Sequence, residues 1–366
     1  MIDRRLLTYV DWPLMGGIGL LCAISLAMVY SATYDPTSGR AGSEFGRQLG
    51  ALAIGLAALG ACMAIDYRAL AQRSLFIYGG LTVLLVVTLA VGVERGGAQR
   101  WLDLGPFAVQ PSELARVVLA LVLASFYALP RAGSRPVRDW IIGGALVAVP
   151  FALILRQPDL GTAAALIPVG FAIMVFAGLK LRMLAVVALL AVLTAPVIWA
   201  YGLEDYQRTR VVSFLDPEQD PLGAGYQQIQ ARVTVGSGGL TGRGFLQGTQ
   251  SQYNFVPAGH TDFIFAVLAE EHGFLGVLFT LGLYLFVILR SLRAARITED
   301  RLGALLVVGI VSGFAFQVVY SVAMSAGLVP VKGLTLPLMS YGRSSVIATL
   351  IGFGLILNVR MRRFTF

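Results

Sequence analysis

Charge is scarce in this chain: Asp, Glu, Lys and Arg make up 13% of its 366 residues, about half the roughly 25% of a soluble domain. The hydrophobic fraction is 57%. Ten spans of about 20 residues consume about 200 apolar residues, and 57% of 366 is about 209. Little is left for a water-soluble domain, so an ordinary cytosolic enzyme is excluded. The apolar runs are continuous and near 20 residues long, which excludes an outer-membrane β-barrel with its alternating strands. The expected fold class is all-α, a polytopic integral membrane helix bundle forming a single transmembrane domain over residues 1–366.

Cysteine, histidine and lysine are nearly missing. Cys22 and Cys62 both fall in apolar runs, too few for a disulfide framework or a zinc site, and read as small buried hydrophobes. His260 and His272 have no partner at metal-ligand spacing, and no H-E-x-x-H occurs. The only lysines are Lys180 and Lys332. The glycine-rich stretch GSGGLTGRGFLQG at 236–248 meets neither the G-x-G-x-x-G nor the G-x-x-x-x-G-K-[ST] spacing, which argues against nucleotide binding. A G-x-S-x-G elbow for a serine nucleophile is also lacking. Basic residues do not cluster with aromatics on a soluble surface, so nucleic acid is not an expected partner.

Ten spans can be marked, at about 13–32, 48–65, 75–93, 113–130, 140–156, 160–179, 183–202, 262–289, 302–327 and 340–359. The N-terminal MIDRRLLTYVDW leads into the first of them and reads as part of a span rather than a removed signal peptide. The longest polar interval is about 203–261, between spans seven and eight. An even number of spans puts both termini on one side. Placing that side in the cytoplasm puts 16 basic residues on inner segments, among them Arg4, Arg5, Arg131, Arg290, Arg293, Arg360 and Arg363, against 6 acidic ones. The other 12 basic and 14 acidic residues lie outside or in spans, so the net +8 is a topology signal. The 203–261 loop then faces the extracytoplasmic side.

Ionisable residues at membrane depth are costly, so each is a functional candidate. Glu113 and Arg116 open the fourth span at i, i+3 spacing, on one helix face. Arg156 and Asp159 bracket Gln157-Pro158. Arg208 and Arg210 begin the large loop, Asp262 opens the eighth span, and Lys332 and Arg343 lie between the last two. All fall near the outer face, where mixed charges beside a greasy wall suit an anionic lipid headgroup. A structural salt bridge is the plainer reading for any one pair. Glu270 and Glu271, about two turns beyond Asp262, read as hydrogen-bonded carboxylates joining helices. The glycine-rich stretch fits a flexible or re-entrant loop, or a backbone surface that a bulky polar substrate can approach. Thr261 is the expected N-cap of the eighth helix. That places Asp262 in its first turn, where the dipole favours the carboxylate and burial opposes it.

With these residues in view, the chain resembles the shape, elongation, division and sporulation (SEDS) family of bacterial cell-wall polymerases. The motifs are Arg100-Trp101-Leu102 with Gln110-Pro111-Ser112-Glu113-Leu114-Ala115-Arg116; Gln157-Pro158-Asp159-Leu160-Gly161-Thr162; Phe214-Leu215-Asp216-Pro217 with Gly225-Tyr226-Gln227; His260-Thr261-Asp262-Phe263-Ile264-Phe265; and Leu336-Pro337-Leu338-Met339-Ser340-Tyr341-Gly342 with Ser344-Ser345. The stretch through Gly248-Thr249-Gln250-Ser251, with Asp11-Trp12 and Tyr30-Ser31-Ala32-Thr33, is closer to the elongation branch, while Lys332-Gly333-Leu334-Thr335-Leu336-Pro337 is closer to the division branch. Two positions depart from the family pattern. Ala258 follows Pro257 where a glutamate is usual, and Arg343 replaces a glycine.

The resemblance implies a peptidoglycan glycosyltransferase of the bacterial cytoplasmic membrane that polymerises lipid II during cell elongation. Its expected partner is a class B penicillin-binding protein transpeptidase. By this reading Asp262 is the catalytic base, and Glu113, Arg116, Asp159, Arg210, His260, Lys332, Ser344 and Ser345 bind substrate. A divalent cation, Mg2+ or Mn2+, on Asp262, Asp159 or Glu113 is left open. One displacement at the anomeric carbon would invert configuration. The alternatives are a lipid II flippase, which would carry polar residues on into the inner halves of the spans, and a non-catalytic scaffold that activates the transpeptidase.

Overall fold

The computed structural model describes residues 8–35, 38–95, 98–103, 105, 108–129, 135–197, 199–200, 205–223, 225–253 and 255–363. Arg4, Arg5 and Arg131, counted above on the basic rim, lie outside the described residues. In chain order the helices are α1 (Trp12–Ala32), α2 (Ser43–Ala64), α3 (Tyr67–Gln72), α4 (Ser74–Val91), α5 (Pro111–Ala128), α6 (Val137–Leu155), α7 (Leu160–Phe176), α8 (Leu181–Val197), α9 (Asp205–Leu215), α10 (Tyr226–Ser237), α11 (Thr249–Gln252), α12 (Ile264–Ile297), α13 (Arg301–Ser325) and α14 (Arg343–Met361). Eight of them, α1, α2, α4, α5, α6, α12, α13 and α14, are long and apolar enough to cross a membrane. α7 is a shorter apolar helix and α8 a further helix, of 17 residues each, where the sixth and seventh of the ten spans are expected. The molecule is a multi-pass membrane helix bundle.

Local chemistry sets the helix starts. The Asp11 side chain accepts from Leu14 N at 3.3 Å, with Pro13 in the first turn of α1. Asp300 does the same for α13 through Leu302 N at 3.1 Å. Inside the bundle α14 runs along α2. Gly55 sits against Leu350, and Gly354 against the Leu59 backbone. Such small residues let membrane helices approach closely where no hydrophobic force drives them together. One cluster of buried Leu, Ile, Val and Phe side chains links α1, α2, α5, α7, α12, α13 and α14.

Two small β elements fill the connections that sequence patterning leaves as loops. A hairpin pairs β1 (Tyr34–Asp35) with β2 (Arg40–Ala41). An antiparallel sheet of order β3-β4-β5 (Val93–Arg95, Ala98–Asp103, Ala108–Val109) leads into α5. The 203–261 interval is also largely ordered, carrying α9, a 3-10 turn at Pro217–Gln219, α10 and α11.

The eighth span differs most from its expectation as one 28-residue helix. α12 covers 34 residues but breaks at Gly273, whose backbone adopts φ 63°, ψ −164°. The break divides it into residues 264–272 and 274–297, and the second piece, at 1.5 Å per residue, is about 36 Å long. Backbone from the glycine-rich loop takes up the freed groups. Phe274 N donates to Gly239 O at 2.9 Å and Leu275 N to Leu240 O at 3.1 Å, while Arg243 N and Gly244 N donate to Glu270 O and Glu271 O at 2.9 and 3.0 Å.

Candidate active site

The site is assembled at the N-terminal ends of α5, α7, α12 and α14. Pro111 opens α5 and places Glu113 in its first turn and Arg116 three residues on. Both are buried, with Arg116 Nη2 donating to Glu113 Oε2 at 2.6 Å. Asp159 caps α7, accepting from Thr162 N at 3.1 Å and Thr162 Oγ1 at 2.9 Å. Its second oxygen also accepts from Gln110 Nε2 at 3.0 Å and lies 3.5 Å from Arg100 Nη1 of β4. Ser344 Oγ accepts from Gln110 N at 3.0 Å. Ser345 hydrogen-bonds Glu113 and receives Thr335 Oγ1 at 3.1 Å.

Asp262 is presented by a tight turn. The Ala258 carbonyl accepts from Thr261 N, Asp262 N and Phe263 N at 3.0, 3.1 and 3.3 Å, with Ala258 itself at φ 54°. α12 begins only at Ile264, with Phe263 at its cap. The expected capping role of Thr261 is therefore corrected: its hydroxyl donates back to Ala258 O at 3.2 Å, and Asp262 precedes the helix instead of lying in its first turn. Burial pushes Asp262 up to about 6, against the pull of Arg100 and Arg210 and with a further push from Asp159.

Asp262, Glu113, Ser344 and Ser345 share the wall of one polar cavity of about 320 Å3, together with Arg47, Arg100 and Arg343. Beside it runs an apolar groove of about 730 Å3 between α2, α5 and α14, and the two share Arg47, Gln110, Arg343 and Ser344. Other expected residues stand apart. Arg116 lies behind Glu113, next to a small void bounded by Phe314 and Phe353. Asp159 is buried at 2% exposure and acts on the cavity through Arg100 and Gln110. Arg210 lines a separate recess of about 410 Å3 with Thr209, Gln227 and Gln228, though its charge still reaches Asp262. Lys332 packs its ammonium 5.7 Å from the Tyr320 ring, where burial and Arg210 lower its pKa. The His260 ring lies tilted 5.8 Å from the Tyr341 ring, and its pKa falls with burial.

The cations on the cavity wall are thus Arg47, Arg100 and Arg343, where sequence reasoning named Arg116, Arg210 and Lys332. Arg100 opens the Arg-Trp-Leu motif, and Arg343 belongs to the outer-face charge set and departs from the family pattern, so both carry a signal in the sequence. Arg47 carries none, because it falls just outside the span expected at 48–65.

The carboxylates do not fit a protein-held divalent cation. Asp159 is committed to Gln110, Thr162 and Arg100, Glu113 to Arg116, and no three His, Cys, Asp or Glu converge among the described residues.

The glycine-rich loop is structural. A Cβ on Gly238 would strike the Ala269 carbonyl, and one on Gly242 the Glu271 carbonyl. Glu270 accepts from Gln250 N and Ser251 N at 2.8 and 3.0 Å. Glu271 accepts from Leu246 N at 3.2 Å and from the Ser31 hydroxyl. The joining role expected of both glutamates is what they play, and Gly238, Gly242 and Gly248 are the loop glycines that lie against α12.

Comparison with known proteins agrees with this architecture. The peptidoglycan glycosyltransferase MrdB of Escherichia coli K12 is 38% identical over 346 residues, 94% of this chain and 93% of the relative. A chain from the structure described as "Structural coordination of polymerization and crosslinking by a peptidoglycan synthase complex" superposes with a TM-score of 0.84 at 35% identity, covering 98% of this chain and 99% of that one. The rod shape determining protein RodA of Thermus thermophilus superposes with a TM-score of 0.73 at 32% identity over 98% of both chains. The family model for FtsW, RodA and SpoVE, described as "Cell cycle protein", matches residues 11–364. This chain belongs to the FtsW/RodA/SpoVE cell cycle protein family.

Proposed function

We propose that the protein is a peptidoglycan glycosyltransferase of the bacterial cytoplasmic membrane, polymerising lipid II with Asp262 as general base and acting beside a class B penicillin-binding protein. The observation that carries this reading is the junction of a polar cavity holding Asp262 with an apolar groove, through a neck containing Arg47 and Arg343. A lipid-linked sugar pyrophosphate has that chemistry: a greasy tail for the groove, two phosphates for the neck and sugars for the polar end.

In the reaction, an acceptor sugar hydroxyl attacks the anomeric carbon of the donor. The new C–O bond forms as the bond to pyrophosphate breaks, and the hydroxyl proton passes to Asp262. A group with a pKa of about 6 is ionised near neutrality yet more basic than an ordinary aspartate, and such a base contributes roughly 10²–10⁴ in rate. The leaving pyrophosphate carries its electron pair away; Arg47 and Arg100 stabilise the growing charge, while Arg343 grips the phosphates throughout. Glu113 and Asp159 position this set, Glu113 through Ser345 and Asp159 through Arg100 and Gln110. A single displacement inverts the anomeric centre. Below the cavity Leu306, Phe314 and Phe353 continue the apolar core, which supports polymerisation over a headgroup passage.

The test is polymerisation of lipid II by the purified full chain with its transpeptidase partner, alongside a translocation assay in vesicles. Strand synthesis lost in Asp262→Asn supports the proposal. Full synthesis by that variant sinks it, and translocation without synthesis by the unmodified protein points to a flippase.

A further inference from the structure

A buried glutamine that the mechanism does not use sits where α1 and α2 meet the turn leading into α14. Gln48 and Ser25 are fully buried, and Ser340 is 1% exposed. Gln48 Nε2 donates to Ser340 O at 3.1 Å and to Ser25 Oγ at 3.2 Å, and its Oε1 accepts from Gly342 N at 3.3 Å. Ser25 Oγ in turn donates to Met339 O at 3.0 Å. Residues 339–342 precede the helix, so side chains of α1 and α2 satisfy backbone groups that no helical ladder reaches. The amide fits only one way round, since its nitrogen faces a carbonyl and its oxygen an N–H.

The turn it holds carries the cavity wall. Tyr341, Gly342 and Arg343 line the polar cavity, and Arg343 also lines the groove. Tyr341 N donates to His260 O at 2.9 Å, which ties this turn to the one presenting Asp262. The other arginine of the neck, Arg47, is the residue before Gln48 in α2. Gln48 itself lines neither space. Its amide bridges the backbone behind both arginines, by the chain to Arg47 in one direction and through Gly342 to Arg343 in the other. Farther along the same two helices, Asn358 Nδ2 donates to Cys62 O at 2.6 Å and to Met63 O at 3.1 Å. The pair α2 and α14 is thus tied near both ends.

We propose that Gln48 is a positioning residue for the lipid pyrophosphate, fixing the spacing of Arg47 and Arg343 so that both guanidiniums meet one pyrophosphate together. This role rests on the pyrophosphate lying in the neck, as in the proposed function, and names what sets the width of the neck. Arginine is long and has many rotamers, so two of them grip one anion well only when their backbones are held in place. Hydrogen bonds from a fully buried side chain hold α2 and the turn in one register. Without them each arginine keeps its charge, and the common geometry is lost.

Titration of the purified full chain with undecaprenyl pyrophosphate, which has the tail and phosphates without the sugars, tests this by native mass spectrometry. Gln48→Met keeps the length of the side chain and loses its hydrogen bonds, and should weaken binding about tenfold. In an Arg343→Gly background the same substitution should cost less than about twofold, since a neck with one of the pair missing has no spacing to set. Ser25→Ala cuts a bond of the same network but leaves the Gln48 contacts to Ser340 and Gly342. It should lower the thermal midpoint and bind like the unmodified protein. If Gln48→Met does not fold, Gln48→Glu takes its place in the cycle, keeping the Gly342 bond and setting an acceptor against Ser340 O. Equal binding by the Gln48 variant, an undiminished loss without Arg343, or the same loss in Ser25→Ala overturns the proposal. Absence of binding by the unmodified protein overturns the neck and the proposal together. Binding with the expected pattern but no strand synthesis supports the role of Gln48 and sinks the glycosyltransferase.

Discussion

The Arg100 guanidinium lies 3.5 Å from the Asp159 carboxylate. Arg100 is also the foremost charge lowering the pKa of Asp262, so this one strand residue connects the α7 cap to the proposed base. Arg100→Gln removes a cation acting on Asp262, and the carboxylate pKa should rise above about 6. The acid limb of the rate profile should move to higher pH, with activity at pH 7 falling and partly returning at pH 8. A pH series of lipid II polymerisation by the variant checks this.

Asp262→Asn separates activity from stability. Rate should fall by roughly 10²–10⁴, while the protein becomes more stable. A carboxyl raised from 3.8 to about 6 binds its proton more tightly folded than unfolded. Native stability therefore declines as pH rises between those values, and the penalty is complete above the higher one. Asparagine carries no such penalty. Thermal unfolding in detergent at pH 7 should give a higher midpoint for the variant, with the gap closing toward pH 4.

Much of this site was legible beforehand because its elements are local. Glu113 and Arg116 pair as their i, i+3 spacing requires, and Asp262 lay in a specific motif. Arg47 was not legible, since the cavity it lines exists only where α2 lies beside α14, a crossing set by Gly55 and Gly354 some 300 residues apart. The break at Gly273 was hidden for a similar reason. Nothing in the run FAVLAEEHGFLGVLF interrupts a helix by itself. The break is stabilised by loop backbone from residues 239–244, a tertiary contribution that periodicity does not carry. The helix start lies two residues later than Thr261 implies, because the Ala258 carbonyl takes the amides of residues 261–263.

Ala258 holds a left-handed conformation at φ 54°, which costs a non-glycine residue roughly 1–2 kcal/mol. Ala258→Gly relieves that strain but adds freedom to the unfolded chain, at about 0.4–1 kcal/mol. The net effect should be a stabilisation of up to about 1.5 kcal/mol with activity retained. Ala258→Val should lower both the thermal midpoint and the rate, since a β-branched residue resists this turn. The two variants compared by thermal melt and polymerisation assay give the sign.

Gly238→Ala should be far more damaging than its size suggests. The added methyl strikes the Ala269 carbonyl, next to the residues that hold the loop on α12. Overpacking of this kind costs about 1–3 kcal/mol, and the loop must withdraw to avoid it. Glu270→Gln should weaken the same contact to a similar degree. Two backbone amides now share a carboxylate, and an amide side chain offers one oxygen with no charge, a loss of about 1–3 kcal/mol. Limited proteolysis near residues 245–253 should reveal both variants as more readily cut.

Arg343 stands in the neck between groove and cavity, where the family pattern places a glycine. If it holds the donor pyrophosphate, Arg343→Gly should raise KM for lipid II by about tenfold, the usual worth of one charge-assisted contact of about 1.4 kcal/mol. The change in kcat should be smaller, because a phosphate grip present throughout binds substrate and transition state alike. Arg343→Lys should recover part of the affinity, having the charge without the forked geometry. Glu113 and Asp159 keep their other partners in both variants, so a fall confined to kcat would instead place Arg343 against the developing charge of the leaving group.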